Sequence, residues 1–216
     1  MRCRSPPAAR STSPRGSPEL FVLNAAPPLP VAALALVSER VWVFGYGSLI
    51  WRADFPYVER KPVVLEHWAR RFWQGSHDHR GVPHAPGRVV TLVPEPNARC
   101  TGVAYYVDHA VFEYLDHREK NGYSRQNVVV TEADGGSFDA VVYIAPVGNH
   151  AFLGPASLDA MAEQVAASSG PSGSNRDYLF ELATALRVLG ADDPHVFELE
   201  AAVRRKIAVV RPLLQQ

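Results

Sequence analysis

Cysteine is nearly absent from this 216-residue chain: there are two, Cys3 and Cys100, in no CxxC pair and at no metal-ligand spacing. A disulfide framework and a zinc ribbon are therefore without support, and a reducing compartment, the cytoplasm, is the expectation. Excess charge of one sign is also missing. With 22 Lys+Arg against 22 Asp+Glu there is no bulk field for gripping nucleic acid or an anionic membrane surface. Long apolar runs are lacking too. The stretch from Leu20 to Val37 is broken by Asn24, Pro27, Pro28 and Pro30, and its last piece, Val31 to Val37, is far short of a membrane span. No third glycine completes a dinucleotide fingerprint, no Gly-Lys-Ser/Thr makes a P-loop, and no G-x-S-x-G elbow presents a serine.

The zero net charge covers two unlike parts. Residues 1–40 hold five arginines and two glutamates, a balance of +3, and seven of the 18 prolines. So many prolines leave too few backbone donors and too little continuous apolar surface for a packed unit, so the segment reads as a disordered or extended Pro-rich extension. Arg-rich and Ser-rich composition also fits an organellar presequence, but prolines every few residues spoil an amphipathic helix, and no hydrophobic region near Met1 suits secretion. Methionine occurs only at positions 1 and 161, so loss of the extension is expected to need processing. Residues 41–210 read as one domain.

That domain has the apolar content for a core, since 47% of the chain is hydrophobic. Val41-Trp42-Val43-Phe44 predicts a buried strand delivering the turn Gly45-Tyr46-Gly47-Ser48. Further strands are expected over Val63 to Trp73, Arg88 to Val93, Gly102 to Val107, Gln126 to Thr131 and Phe138 to Ile144. A single helix interrupts them, from Ala110 to about Lys120, with Gly122 as its stop. The last third is helical: a Ser157-capped segment to Ala167, a stripe of Tyr178, Leu179, Leu182, Leu186 and Leu189 ended by Gly190, and a helix from Pro194 to Ile207. Strands first and helices afterwards favour an α+β fold over a doubly wound sheet.

Three constellations could carry chemistry. The Gly45-x-Gly47-Ser48 turn can expose successive backbone N–H groups, because glycine reaches φ > 0 freely, and such a nest holds a carboxylate or oxyanion; a plain tight turn is the alternative. The run Asp116-His117-Arg118-Glu119-Lys120, between Tyr114 and Tyr123, reads either as a solvated charged face or as a charged turn under aromatic cover, where a desolvated glutamate becomes a general base. The loop from Gln74 to Arg88 carries His77, His79 and His84, which lack a frame for a metal, and Arg80 and Arg88, either surface charge or forks for substrate carboxylates. No nucleophile triad emerges, so if the chain is an enzyme, a nucleophile supplied by the substrate is one expectation.

Taken together, Val43-Phe44-Gly45-Tyr46-Gly47-Ser48-Leu49-Ile50-Trp51, Arg71-Phe72-Trp73-Gln74-Gly75-Ser76, Asp78-His79-Arg80-Gly81-Val82-Pro83, Pro86-Gly87-Arg88-Val89-Val90-Thr91-Leu92, Arg118-Glu119-Lys120, Gly122-Tyr123 and Gly170-Pro171-Ser172-Gly173 resemble one family. It is the ChaC-type glutathione-specific γ-glutamylcyclotransferases, and the likeness runs from about Val41 to Ile207. Asn121, where glycine is common, and His77 and His84 depart from its pattern. The resemblance implies a small mixed β-barrel with surrounding helices and cleavage of glutathione to 5-oxoproline and Cys-Gly. It also implies Glu119 as the catalytic acid/base and Val43 to Leu49 as the substrate-binding loop. Tyr123 beside the glutamate, Tyr143 at the end of the last strand and Arg88 complete the expected pocket. Neither a metal nor an organic cofactor is implied, and no nucleic acid or membrane partner. Two other readings stay open: cyclisation of other γ-glutamyl compounds, and a non-catalytic module that binds glutathione or partners.

Overall fold

The β-branched and aromatic run after Glu39 forms β1 (Arg40–Gly45) in a computed structural model that describes residues 39–119 and 121–210. The extension expected over residues 1–40 lies outside the described residues except for its last two. Of these, Arg40 already opens β1 and pairs with Asp108 in register. The domain belongs to the compact unit Ser38–Gln216.

β1 leads through a single 3₁₀ turn, Ser48–Ile50, to β2 (Glu59–Ser76) and β3 (Gly87–Asp108). After α1 (Val111–Arg118) come β4 (Ser124–Thr131) and β5 (Ser137–Ile144). The strands close into a barrel in the order β1-β3-β2-β4-β5. Its neighbours are antiparallel except at the seam, where β5 runs parallel to β1 through Val43↔Val141 and Phe44↔Val142. The barrel is therefore mixed, and closure leaves no free sheet edge.

The two strands expected over 88–93 and 102–107 are one strand, β3. Pro94, Pro96 and Asn97 between them suggest a loop, yet that middle is mostly exposed. There the ladder slips its register between Glu66 and Trp68, Pro94 pairs with Trp68 beyond the slip, and His67 at φ 65° and Asn97 at φ 63° mark the irregularity.

Three helices follow: α2 (Leu158–Ala167), α3 (Asn175–Val188) and α4 (Pro194–Val210). Between α2 and α3 lies a hairpin of two-residue strands, β6 (Ser169–Gly170) and β7 (Gly173–Ser174), which composition did not foretell. Ser157 caps α2 as expected, its Oγ accepting from Ala160 N–H at 3.2 Å, and Ser174 caps α3 in the same way, accepting from Asp177 N–H at 3.2 Å. Leu179, Leu182, Leu186, Leu199 and Val203 are fully buried where α3 and α4 join the core around Phe44, Phe72 and Val142. Among the described residues, no helix is long and apolar enough to cross a membrane.

Candidate active site

α1 buries Val111, Phe112 and Leu115 against the barrel, which fixes where the helix ends. Glu119 is its C-terminal cap and donates its N–H to the Leu115 carbonyl at 2.8 Å. Just beyond, Gly122 takes φ +89°, and a Cβ there would stand 2.4 Å from Asn149 Oδ1. Fully buried Gln74 secures this exit, donating to the Asn121 carbonyl at 3.0 Å and exchanging bonds with the Asn149 amide at 3.1 and 2.9 Å. The Glu119 side chain is thus held at the wall of a cleft of about 320 Å³, within the range of small-molecule sites.

Opposite it runs the turn after β1. Gly47 O and Ser48 O accept the bonds of the 3₁₀ turn, from Ile50 N–H at 3.0 Å and Arg52 N–H at 2.8 Å. Among the described residues, none accepts from the backbone N–H of Tyr46, Gly47 or Ser48. Arg118 joins the two walls: its Nη2 donates to Ser48 Oγ at 2.6 Å, and its Nε lies 3.4 Å from Glu119 Oε1. Its Nη1 is buried with no hydrogen-bond partner among the described residues.

Burial raises the Glu119 carboxyl above the usual carboxylate range; the Arg118 charge opposes this and Asp78 reinforces it. The Glu119 charge in turn adds to burial in raising Tyr46, Tyr123 and Tyr178, the last up to about 12. These three phenols are neutral at physiological pH and form the aromatic cover. Tyr46 Oη donates to the Tyr143 carbonyl at 2.8 Å and Tyr123 Oη to the Val90 carbonyl at 2.7 Å.

A ChaC-like family model matches residues 41–206. A glutathione-specific gamma-glutamylcyclotransferase 1 from Danio rerio is 41% identical over 187 residues, covering 82% of this chain and 94% of its own length. The chain belongs to the ChaC-like family. Another relative of this ChaC-like protein, gamma-glutamylcyclotransferase 2-3 of Arabidopsis thaliana, is 43% identical over 176 residues, covering 76% of this chain and 88% of itself. Among solved structures, a γ-glutamyl cyclotransferase specific to glutathione from yeast superposes with a TM-score of 0.73 at 32% identity, over 77% of this chain and 96% of its own. That fold is the expected α+β barrel with surrounding helices.

Of the residues singled out in sequence, the ChaC-like cleft brings together Phe44, Gly45, Tyr46, Gly47, Ser48, Leu49, Glu119, Tyr123 and Tyr143. Val43 and Arg88 fall elsewhere. Val43 is fully buried, on the barrel seam opposite Val141. Arg88 is a correction to the carboxylate-fork reading. Its guanidinium turns inward, donating to Gln164 Oε1 at 2.7 Å, the Phe72 carbonyl at 2.9 Å and the Gly154 carbonyl at 3.0 Å. It ties α2 to the barrel and, buried and away from the cleft lining, presents no fork to a substrate there.

The reason for the turn glycines is also corrected. Neither Gly45 nor Gly47 has positive φ. Crowding is the cause instead: a Cβ on Gly45 would meet Leu49 Cβ at 2.5 Å, which leaves no room for a side chain, and one on Gly47 would sit tightly against Tyr178 Oη and Val90 Cγ2 at 3.1 Å. Tyr143 keeps its place, but its hydroxyl faces Asp116, to which it donates at 2.6 Å, with Arg125 donating to it at 3.1 Å. Tyr114, expected as cover, lines the cleft as well, at its rim, where it is 44% exposed.

Sequence reasoning missed Tyr178 and Arg118 as cleft residues. Tyr178 reads as the first apolar position of a core stripe, although its place one turn after the Ser174 cap already sets it at a helix end. Arg118 reads as part of a charged face, and its adjacency to Glu119 is the only local sign of its role.

Proposed function

We propose that this protein cleaves glutathione by intramolecular aminolysis, with Glu119 as the proton carrier. The single observation that carries the reading is one cleft lined both by a desolvated carboxyl and by a turn whose backbone N–H groups meet no acceptor among the described residues. The relatives' names supply the substrate.

The α-amine of the γ-glutamyl arm attacks its own γ-carbonyl carbon, a C–N bond closes the five-membered lactam, and the C–N bond to cysteine breaks. Glu119 takes the proton lost by the amine and returns it to the departing cysteinyl nitrogen, so nothing is consumed and no protein nucleophile is used. Folding the arm into attack geometry is worth roughly 7–11 kcal/mol in well-oriented intramolecular reactions. The N–H groups of Tyr46, Gly47 and Ser48 hold the glutamyl carboxylate or the oxyanion that develops on the carbonyl. The closed barrel and the Gly122 exit supply the rigidity this positioning requires. The protein is expected to act in the reducing cytoplasm, in keeping with the free, buried thiol of Cys100, and the residues before β1 are read as an extension outside the catalytic domain.

Purified full-length protein is expected to release 5-oxoproline and Cys-Gly from glutathione in equal amounts, followed by chromatography with mass detection. If glutathione stays intact while γ-glutamyl amino acids are cyclised, the substrate is wrong; if neither reacts, the enzyme reading fails.

The base must be ionised to accept a proton. Because burial raises the Glu119 pKa, kcat/KM is expected to climb with pH along an acid limb displaced above the range of a free carboxylic acid. A profile already flat at pH 4.5 would contradict the role given to Glu119.

A further inference from the structure

The reaction described above concerns one end of the tripeptide. The other end carries a second carboxylate, on glycine, which leaves with the dipeptide. Four arginines lie in or beside the cleft, and three are otherwise engaged. Arg88 is turned into the protein. Arg118 bridges Ser48 and Glu119 at the reacting end of the cleft, where its Nη1, without a hydrogen-bond partner among the described residues, lies 4.0 Å from Asp54 Oδ2. Arg52 is 62% exposed at the rim and paired with Asp54 at 2.9 Å.

Arg80 differs. Its side chain is 12% exposed, lines the cleft and lies over the Tyr178 ring at 5.5 Å. Nη1 donates to the Ser174 carbonyl at 3.2 Å, while Nε and Nη2 are hydrogen-bonded to no described residue. Two carboxylates face this region: Glu181, 50% exposed with its Oε2 4.0 Å from Nη2, and Asp78, whose Oδ2 is 3.9 Å from His79 Nε2. The Glu181 contact is too long for a hydrogen bond and open to water, so it is a weak competitor.

The loop that presents Arg80 is fixed by backbone packing. A Cβ on Gly170 would stand 2.4 Å from the His79 carbonyl oxygen and 2.5 Å from that of Gly81, so the β6–β7 hairpin sits directly on the loop backbone. Ser172 N–H donates to the His79 carbonyl at 2.9 Å, His79 Nδ1 and Ser172 Oγ are 3.0 Å apart, and Arg80 N–H donates to Ser76 Oγ at 2.9 Å. A Cβ on Gly173 would come within 3.2 Å of Arg80 Nη1. Such a fork, held still and partly desolvated, suits a carboxylate.

We infer that Arg80, at the rim built by the β2–β3 loop and the β6–β7 hairpin, binds the glycine carboxylate of the substrate and so selects the tripeptide over shorter γ-glutamyl compounds. This rests on glutathione being the substrate. It gives the β6–β7 hairpin a purpose, since that hairpin sets the position of the fork while making no contribution to the barrel.

The test pairs two substrates with three proteins: glutathione and its glycyl monoethyl ester, with wild-type protein, Arg80→Met and Arg80→Lys. Wild-type protein is expected to favour glutathione over the ester by roughly 10- to 100-fold in kcat/KM, the usual scale for a hydrogen bond to a charged group. The ratio is expected to collapse toward one in Arg80→Met and to be intermediate in Arg80→Lys, which keeps the charge without the fork. Equal use of both substrates by the wild type, or equal losses on both in the variants, overturns the assignment. The wild-type arm needs no mutant to fold. If the wild type leaves glutathione itself intact, the proposed function is at fault, and the inference falls with it.

Discussion

Glu119→Gln is expected to lower kcat for 5-oxoproline release by at least about 10²-fold, the lower end of what a positioned general base contributes, while the protein stays folded. The amide keeps the shape and the place at the end of α1 but cannot take the proton that the α-ammonium must lose for its amine to attack. Glu119→Asp tests position instead of chemistry: it retains the acid yet draws it back by one methylene, and a displacement of about 1 Å can itself cost about 10²-fold. The stability side has the opposite sign. Because burial raises the native pKa of Glu119, the native state holds this proton more tightly than the unfolded chain. The contribution of Glu119 to stability is therefore greatest at low pH and is lost as pH rises through the interval between the unfolded and the native pKa. Once ionised, the buried carboxylate destabilises the fold, and the glutamine variant lacks that penalty. A melting temperature at neutral pH equal to or above that of the wild type, together with loss of activity and of the acid limb, marks a residue kept for chemistry. Near-normal turnover would remove Glu119 from the mechanism.

How much of this was readable before the fold was known depends on range. Glu119 and its stop at Gly122 lie within one local segment, where helix spacing, a glycine and flanking tyrosines speak together. The strands were legible because period-two apolar runs are local as well. What failed was long-range. Arg88 offers a guanidinium in a glycine- and proline-rich loop, and only the fold reveals that Gln164, 76 positions away, and Gly154, 66 positions away, take its donors. Tyr178 joins Glu119 only because α3 packs its first turn over the β1 turn. The glycines at 45 and 47 were identified correctly as special, but for the wrong cause, since crowding by Leu49, Tyr178 and Val90 is a property of assembled neighbours. The β6–β7 hairpin has two-residue strands, too short to show any period.

The same long-range logic makes Arg70 the residue whose loss is expected to damage the fold most. It is 2% exposed, sits on β2 and spends its whole guanidinium on distant partners. Nε donates to the Tyr46 carbonyl at 2.7 Å, Nη1 to Asp193 Oδ2 at 2.5 Å and Nη2 to the Thr101 carbonyl at 2.5 Å. Asp193 in turn accepts the Val196 N–H at 3.2 Å, capping the start of α4. Arg70→Met therefore leaves a largely buried carboxylate and two carbonyls without their donor at once. Breaking one partner of a buried ion pair typically costs about 3–5 kcal/mol, which for a domain of this size lowers Tm by on the order of 10 °C. In the double variant Arg70→Met with Asp193→Asn, which keeps the α4 cap but removes the stranded charge, the loss is expected to be smaller than the sum of the single losses. A shift of less than about 2 °C in Arg70→Met, roughly the lower end of the response to 1 kcal/mol, would show that the pair does not hold the fold. Activity supplies the second readout. Because Arg70 holds the Tyr46 carbonyl, the fraction of Arg70→Met that remains folded is expected to have a loosened binding turn and a raised KM for glutathione. Stability and substrate binding thus meet in one guanidinium that holds the binding turn from behind and does not itself line the cleft.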